Sequence, residues 1–456
     1  MTNTNLDLTT GSITKKMIIF GIPIFLSNLL QALYNIVDML VVGHYIGSGG
    51  IAAISNATSV FWIITAISNG LSIGGTVLMS QYKGANNKKF QNKTVGTVLI
   101  TFLSLGFIST LLLTVFSKQI VSVMNAPIES ASYANEFMFY VSTGWIFIFG
   151  FAGISALMRG MGNSQFPFYA MIISTVINIV LDCLFVGPMG MGVKGAAIST
   201  VIAEAVPFII SLIYFKKMNY SNEKFPIKEF DKSVFVEFFK IGLPSMFQMI
   251  IVNISYLILT VMLNSFGLVI AAVAGVGMKI LTFMSAPCWA VGQTVNAMAG
   301  QNIGANNIER TRAVGKIGLR LNLFLMFIVV LVFQIFSKQL FMIFDTNPEF
   351  VNNGILYMRI GASWGFFAYA TMFTFDMFAS GTGNSRFGFY NSLIDAIAIR
   401  IALCWFLGFY LNYGFIGIYW GNAASSVIPS IIGLLYFKYG KWSKNKINTS
   451  GCEAAN

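Results

Sequence analysis

Five carboxylates stand where a carboxylate is costly. Asp38, Asp182, Glu204, Asp376 and Asp395 each lie within long apolar surroundings, with Lys279, Arg320, Arg359 and Arg400 as basic counterparts in or near the same runs. A charge in hydrocarbon is unstable unless it is paired, hydrated or protonated, so these residues are where chemistry should be sought. Carboxylates joined by amide and hydroxyl oxygens hold a hard cation such as Na⁺, and carboxylates crowded together hold a proton. Asn178 and Asp182 are four apart and share a helix face, as do Thr200 and Glu204. At about 1.5 Å per residue, Asp38 lies roughly 30 Å and Asp182 roughly 24 Å from the inner start of its run. Thr200, near the outer start of a descending run, reaches the same depth. The spacing therefore predicts a coupling site for a proton or cation at Asp38, Asn178, Asp182, Thr200 and Glu204. Asp376 and Asp395 fall near the inner end of two later runs, with Arg400 above them, which predicts a second cluster acting as a gate or as structural ion pairs. Lys279, nearer the outer face, is expected to snorkel or to approach a carboxylate.

The elements that must position these residues are membrane helices. The chain is 56% hydrophobic and 10% charged, and its apolar runs recur along the whole length. Twelve of them are long enough to span: 18–43, 52–79, 94–116, 133–158, 166–187, 195–215, 241–265, 271–298, 314–336, 354–379, 388–410 and 415–437. In lipid each must be helical, because its backbone polar groups have no water to bond. An all-α, twelve-span membrane protein follows.

The net charge of +12 would indicate nucleic acid binding in a soluble protein, but here it is segregated by side. Loops on the side of the N-terminus hold twenty-one Lys and Arg, against Lys118, Lys194 and Lys338 on the other. The positive-inside rule puts both termini in the cytoplasm of a cell membrane protein. No cleavable signal, lipidation motif or phosphate-binding loop is expected, so neither ATP nor nucleic acid is a predicted partner. Cys183, Cys288 and Cys404 lie within spans and Cys452 in the tail, which disfavours a disulfide framework. The one histidine, His44, is expected to be an interfacial anchor, and no metal-ligand cluster is present in the sequence.

The chain is also duplicated. Gly84-Ala85-Asn86-Asn87 returns as Gly304-Ala305-Asn306-Asn307, Phe116-Ser117-Lys118-Gln119 as Phe336-Ser337-Lys338-Gln339, and Gly162-Asn163-Ser164 as Gly383-Asn384-Ser385. The expected organisation is an N-terminal lobe at 1–217, a cytoplasmic linker at 218–232, a C-terminal lobe at 233–440 and a tail at 441–456. Six spans each would relate the lobes by a pseudo-twofold axis along the membrane normal. Asp38 corresponds to Ile258 or Leu259, Asp182 to Leu403 or Cys404, and Thr200 to Asn422. The repeated scaffold does not need the first-lobe acids, which argues that they serve a task.

At these residues the chain resembles the multidrug and toxic compound extrusion (MATE) family. The resemblance covers nearly all of 15–437 and is carried by Tyr34-Asn35-Ile36-Val37-Asp38, Arg159-Gly160-Met161-Gly162-Asn163-Ser164, Asn178-Ile179-Val180-Leu181-Asp182 and Gly190-Met191-Gly192-Val193. It implies export of organic cations and other amphipathic compounds against inward H⁺ or Na⁺, without another cofactor, by a protein that is not an enzyme. It also implies coupling roles for Asp38, Asn178, Asp182 and Thr200. Two departures stand out. One branch of the family has a glutamate eight residues after the proline that opens the seventh helix, where this chain has Val252, and Glu204 replaces an expected small or neutral residue. The alternative reading is a flippase for lipid-linked precursors. The 43 Phe and 23 Met would suit an adaptable apolar cavity, and a monomer is expected.

Overall fold

The computed structural model describes residues 5–46, 48–123, 128–217, 229–444 and 447, and these are helical with no strand among them. The linker segment 218–228 and most of the tail, with Cys452, lie outside the described residues. The helices are α1 (Ile13–Ile46), α2 (Ser48–Gly84), α3 (Lys88–Val115), α4 (Ser117–Val123), α5 (Ile128–Ser142), α6 (Trp145–Gly160), α7 (Gln165–Val186), α8 (Gly192–Lys217) and α9 (Lys232–Asn264). They continue as α10 (Leu268–Gly304), α11 (Ile308–Ile335), α12 (Ser337–Met342), α13 (Pro348–Gly361), α14 (Trp364–Gly381), α15 (Ser385–Leu393), α16 (Ala402–Trp405), α17 (Gly414–Ala424) and α18 (Val427–Tyr439). Two π-helical stretches, Ile394–Ile401 and Phe406–Tyr410, flank α16.

Among the described residues ten helices are long and apolar enough to cross a membrane, and eleven if a bent pair counts as one span. The count is lower than the twelve runs because two spans are broken. The fourth run is divided between α5 and α6, which bend by 47° at Thr143–Gly144. The tenth is divided between α13 and α14 at Ala362–Ser363, and α13 carries Glu349 and Arg359, which lower its apolarity.

The duplication extends to backbone detail. Asn86 and Asn306 both adopt left-handed φ, 54° and 59°, a conformation that asparagine tolerates better than most residues. The following residues, Asn87 and Asn307, cap α3 and α11 by accepting from Phe90 N–H at 3.2 Å and Arg310 N–H at 3.1 Å. Close helix contacts repeat as well. A Cβ at Gly160 would lie 2.6 Å from Met79 Cβ and 2.8 Å from the Thr76 carbonyl oxygen, and one at Gly381 would lie 2.5 Å from the Asn296 carbonyl oxygen. Gly144 faces Val201 just as Gly365 faces Ala423. Small residues let membrane helices approach to backbone contact. A Cβ at Gly365 would fall on the Ala423 carbonyl oxygen, which no rotamer change relieves. Gly365→Ala is therefore expected to destabilise the protein by about 1–3 kcal/mol. Gly275→Ala, whose Cβ would meet nothing within 4 Å, should be neutral or better, and thermal melts of the two variants in one detergent check both expectations.

The chain divides into two compact units, Met1–Asp7 with Ile22–Phe239, and Leu8–Gly21 with Lys240–Asn456. In the second unit the N-terminal segment is a packed element. Leu8 is fully buried, its N–H donates to Gln301 Oε1 at 3.2 Å, and its carbonyl accepts from Asn302 Nδ2 at 3.1 Å. In the first unit Phe238 packs edge-on against Phe102, and Asp231 meets Lys93 at 2.6 Å. Burial alone would raise the Asp231 pKa, but hydrogen bonds from Lys93, Ser233 and the Val234 N–H outweigh it and hold the carboxyl well below the usual carboxylate range. A depressed carboxyl stabilises the fold above its unfolded pKa of about 3.9 and loses that contribution as pH falls. Melting the wild type and Asp231→Asn from pH 7 to pH 3 should show a difference of about 1 kcal/mol that shrinks below about pH 4.

Candidate functional site

The first-unit site is built on α1, α7 and α8. Asp38 is 7% exposed, and Asn178 and Asp182 are fully buried. The two carboxyls lie within electrostatic reach of each other. Ser199 Oγ donates to Asp182 Oδ1, while Asp38 Oδ1, Asp182 Oδ2 and both polar ends of Asn178 are buried without a hydrogen-bond partner. Thr200 donates to the Ala196 carbonyl at 2.9 Å and its hydroxyl stands beside the Tyr34 phenol. Glu204, half-buried one turn along α8, also lies within the reach of Tyr34 and has no ion pair among the described residues.

One turn from these residues runs an apolar cluster that includes Val42, Val186 and Ala196. Val42 and Val186 lie one turn C-terminal to Asp38 and Asp182, and Ala196 one turn N-terminal to Thr200 on α8, which follows α7 after a short turn and runs back along it. The polar site is thus closed on that side by dry packing. Buried acids that each keep an unsatisfied oxygen, and that have no basic partner among the described residues, call for a positive species to satisfy them. Amide, carboxylate and hydroxyl oxygens suit either a proton or a hard monovalent cation. Among the described residues no group of three or more His, Cys, Asp and Glu could hold a metal ion, so a cation here would rest on the two carboxylates together with neutral amide and hydroxyl oxygens.

The second-unit acids lie on other elements. Asp395 and Arg400 both belong to the π-helical stretch Ile394–Ile401 and pair at 2.5 Å. In an α-helix residues five apart diverge by about 140°. The i→i+5 bonding of a π-helix sets them one above the other. Asp395 also accepts from Ser426 at 2.9 Å, and Arg400 donates to Ser255 at 2.8 Å and stacks over Tyr256 at 4.4 Å. Asp376 departs from the expectation of an ion pair, for Asn391, Gln248 and Ser392 surround it instead. Lys279 is exposed on α10 and ion-paired with none of the described acids. Its long stem lets the ammonium leave the packed interior.

Sequence reasoning missed Tyr34 and Ser199 in the first unit, and Gln248, Asn391 and Ser392 in the second. Tyr34 had a signal, since it precedes Asp38 by one turn. Ser199 had a weaker one, its neighbour Thr200 having been preferred for its register with Glu204.

The sequence profile of the MatE family matches the chain twice, at 23–184 and 244–406, so that each match opens on a repeat-equivalent proline, Pro23 and Pro244. A probable multidrug resistance protein of Bacillus subtilis, YoeA, is 28% identical over 96% of both chains. The probable multidrug resistance protein NorM of Thermotoga maritima is 25% identical over 96% of this chain and 95% of its own. Among solved structures, the outward-facing conformation of a multidrug resistance MATE family transporter superposes with a TM-score of 0.90 at 20% identity, covering 96% of this chain and 98% of that one.

Proposed function

The chain belongs to the MatE family of multidrug efflux transporters, and on that premise we propose that it exports organic cations and amphipathic compounds by antiport with H⁺ or Na⁺. It is a multi-pass membrane protein with small-molecule substrates. The observation that carries the coupling proposal is the adjacent buried pair Asp38 and Asp182, each with one unpartnered oxygen and neither ion-paired among the described residues. In this reading Asp38 and Asp182 carry the ion, Asn178 and Thr200 supply neutral oxygens, and Ser199 orients Asp182. Glu204 is a further carboxylate bearing on the same ion. Two lobes, 1–217 and 233–440, alternately expose a substrate cavity with both termini inside, and the protein works as a monomer without ATP.

An ion drives such a cycle only if the two arrangements bind it with different affinity. Neutralising the carboxyl pair changes the electrostatic cost of burying it, which supplies that difference. The test is ethidium efflux from proteoliposomes under an imposed pH gradient and, separately, an imposed Na⁺ gradient. One of the two should drive efflux, and Glu204→Gln should change its pH or Na⁺ dependence. Folded protein that responds to neither gradient, with ethidium or other organic cations, would instead favour the lipid-precursor flippase.

A further inference from the structure

The second unit holds an acid that this coupling scheme does not use. Asp376, on α14, is fully buried. Its Oδ1 accepts from Asn391 Nδ2 at 2.8 Å, and its Oδ2 faces Gln248 Nε2 at 3.4 Å and Ser392 Oγ at 3.5 Å. All three are neutral. The guanidinium of Arg400 is committed to Asp395, and its remaining nitrogens go to Ser255 and Ser425. That cation serves Asp395 alone, and the charge of Asp376 is left without one among the described residues. Among the described residues the helices packed against α14 bring no other ion pair: Lys279 on α10, Arg320 on α11, Arg386 on α15 and Lys438 on α18 are not ion-paired with it. The charge that does reach Asp376 is that of Asp395, of the same sign.

A second observation marks the spot. The Asn391 side chain, 1% exposed, holds Asp376 with its nitrogen while its Oδ1 is buried without a partner. A buried charge lacking a counter-charge and a buried acceptor lacking a donor stand side by side, and one proton on the carboxyl remedies both. A metal cation fits less well, because the groups aimed at the carboxylate are N–H and O–H donors rather than oxygen lone pairs. Asn391 and Ser392 also stand where α15 gives way to the π-helical stretch, so a change in that winding moves them relative to Asp376.

We propose that Asp376 is a proton-binding site of the second unit that exchanges its proton during the transport cycle, so that one further ion moves besides that at Asp38 and Asp182. This rests on the antiport reading above. The test uses proteoliposomes with the membrane potential clamped at zero by valinomycin and equal K⁺, equal Na⁺ on both sides and one pH unit across the membrane. The steady-state ethidium gradient is then read for the wild type, Asp376→Asn and Asp38→Asn. Each proton exchanged per ethidium multiplies the gradient about tenfold. Asp376→Asn should therefore lower it about tenfold whether the first-unit ion is H⁺ or Na⁺, after a monodisperse elution profile and ethidium binding have shown the variant to be folded. If the asparagine does not fold, Asp376→Ser is read in the same way. A folded variant with the wild-type gradient overturns the proposal and leaves the antiport reading intact. A wild type that sustains no ethidium gradient under either pH or Na⁺ overturns both.

Discussion

Arg400→Met is expected to be among the most destabilising single changes in the second unit, costing about 3–5 kcal/mol. The loss would come less from the pair itself than from what is left behind. Arg400 is 2% exposed and Asp395 is fully buried, so without the guanidinium the carboxylate has neither solvent nor counter-charge. Ser426 still donates to it at 2.9 Å, but a neutral hydroxyl does not replace a cation. Methionine retains much of the stem volume, which keeps cavity formation from dominating the result. The double variant Arg400→Met, Asp395→Leu should recover much of the loss, since removing both charges of a buried pair is often near neutral. Thermal melts of the two single variants and the double variant in one detergent give the coupling energy directly. A single-variant loss below about 1 kcal/mol would mean that the pair is not as dry as its burial indicates.

Asp182→Asn should leave a folded protein that binds ethidium yet is no longer driven through the first-unit ion. Asparagine keeps an oxygen that accepts from Ser199 Oγ, so the packing of α7 on α8 is retained. It cannot take up a proton, and it removes one charge from any cation site formed with Asp38 and Asn178. An ion that binds both arrangements equally shifts neither, so the accumulation ratio should lose the factor that the first-unit ion contributes, about tenfold for a tenfold gradient of that ion. Measured ethidium affinity should meanwhile change little. A driven ratio equal to that of the wild type would remove Asp182 from the coupling machinery.

The helices and the repeat were legible because both rest on patterns the bilayer imposes. A run such as 166–187 has to be helical in lipid, and α7 at Gln165–Val186 follows it closely. The repeated Gly-Ala-Asn-Asn motif became a repeated turn because left-handed φ and an N-cap are local demands on residue type. The break between α5 and α6 was not legible. Gly144 sits in an otherwise continuous apolar run, and what bends the chain there includes its close contact with Val201 on another helix. The placement of Leu8–Gly21 with the second unit likewise depends on distant partners, Gln301 and Asn302.

The candidate site was legible as far as its charges. Asp38, Asn178 and Asp182 were found from depth and register, which need only the helical rise. Ser199 was not chosen because register arguments rank residues along one helix, whereas its role is decided by how α8 is rotated against α7. Asp395 and Arg400 were seen as near neighbours, but their direct pairing requires π-winding that five-residue spacing in an α-helix does not supply. Gln248, Asn391 and Ser392 carry no charge to mark them in a membrane sequence. Their importance follows from the buried acid that they surround.

The central claim is that ion and substrate move against each other through Asp38, and the most direct test follows the ion rather than the drug. Proteoliposomes with no initial ion gradient would be given an ethidium gradient, and internal pH or radioactive Na⁺ uptake would be recorded as ethidium runs downhill. In the wild type, H⁺ or Na⁺ should move uphill in the opposite direction, and in Asp38→Asn the share carried by the first-unit ion should vanish, leaving no more than the proton assigned to Asp376. Ethidium moving through the wild type without any counter-movement of H⁺ or Na⁺, or an equal counter-movement in Asp38→Asn, would contradict the claim.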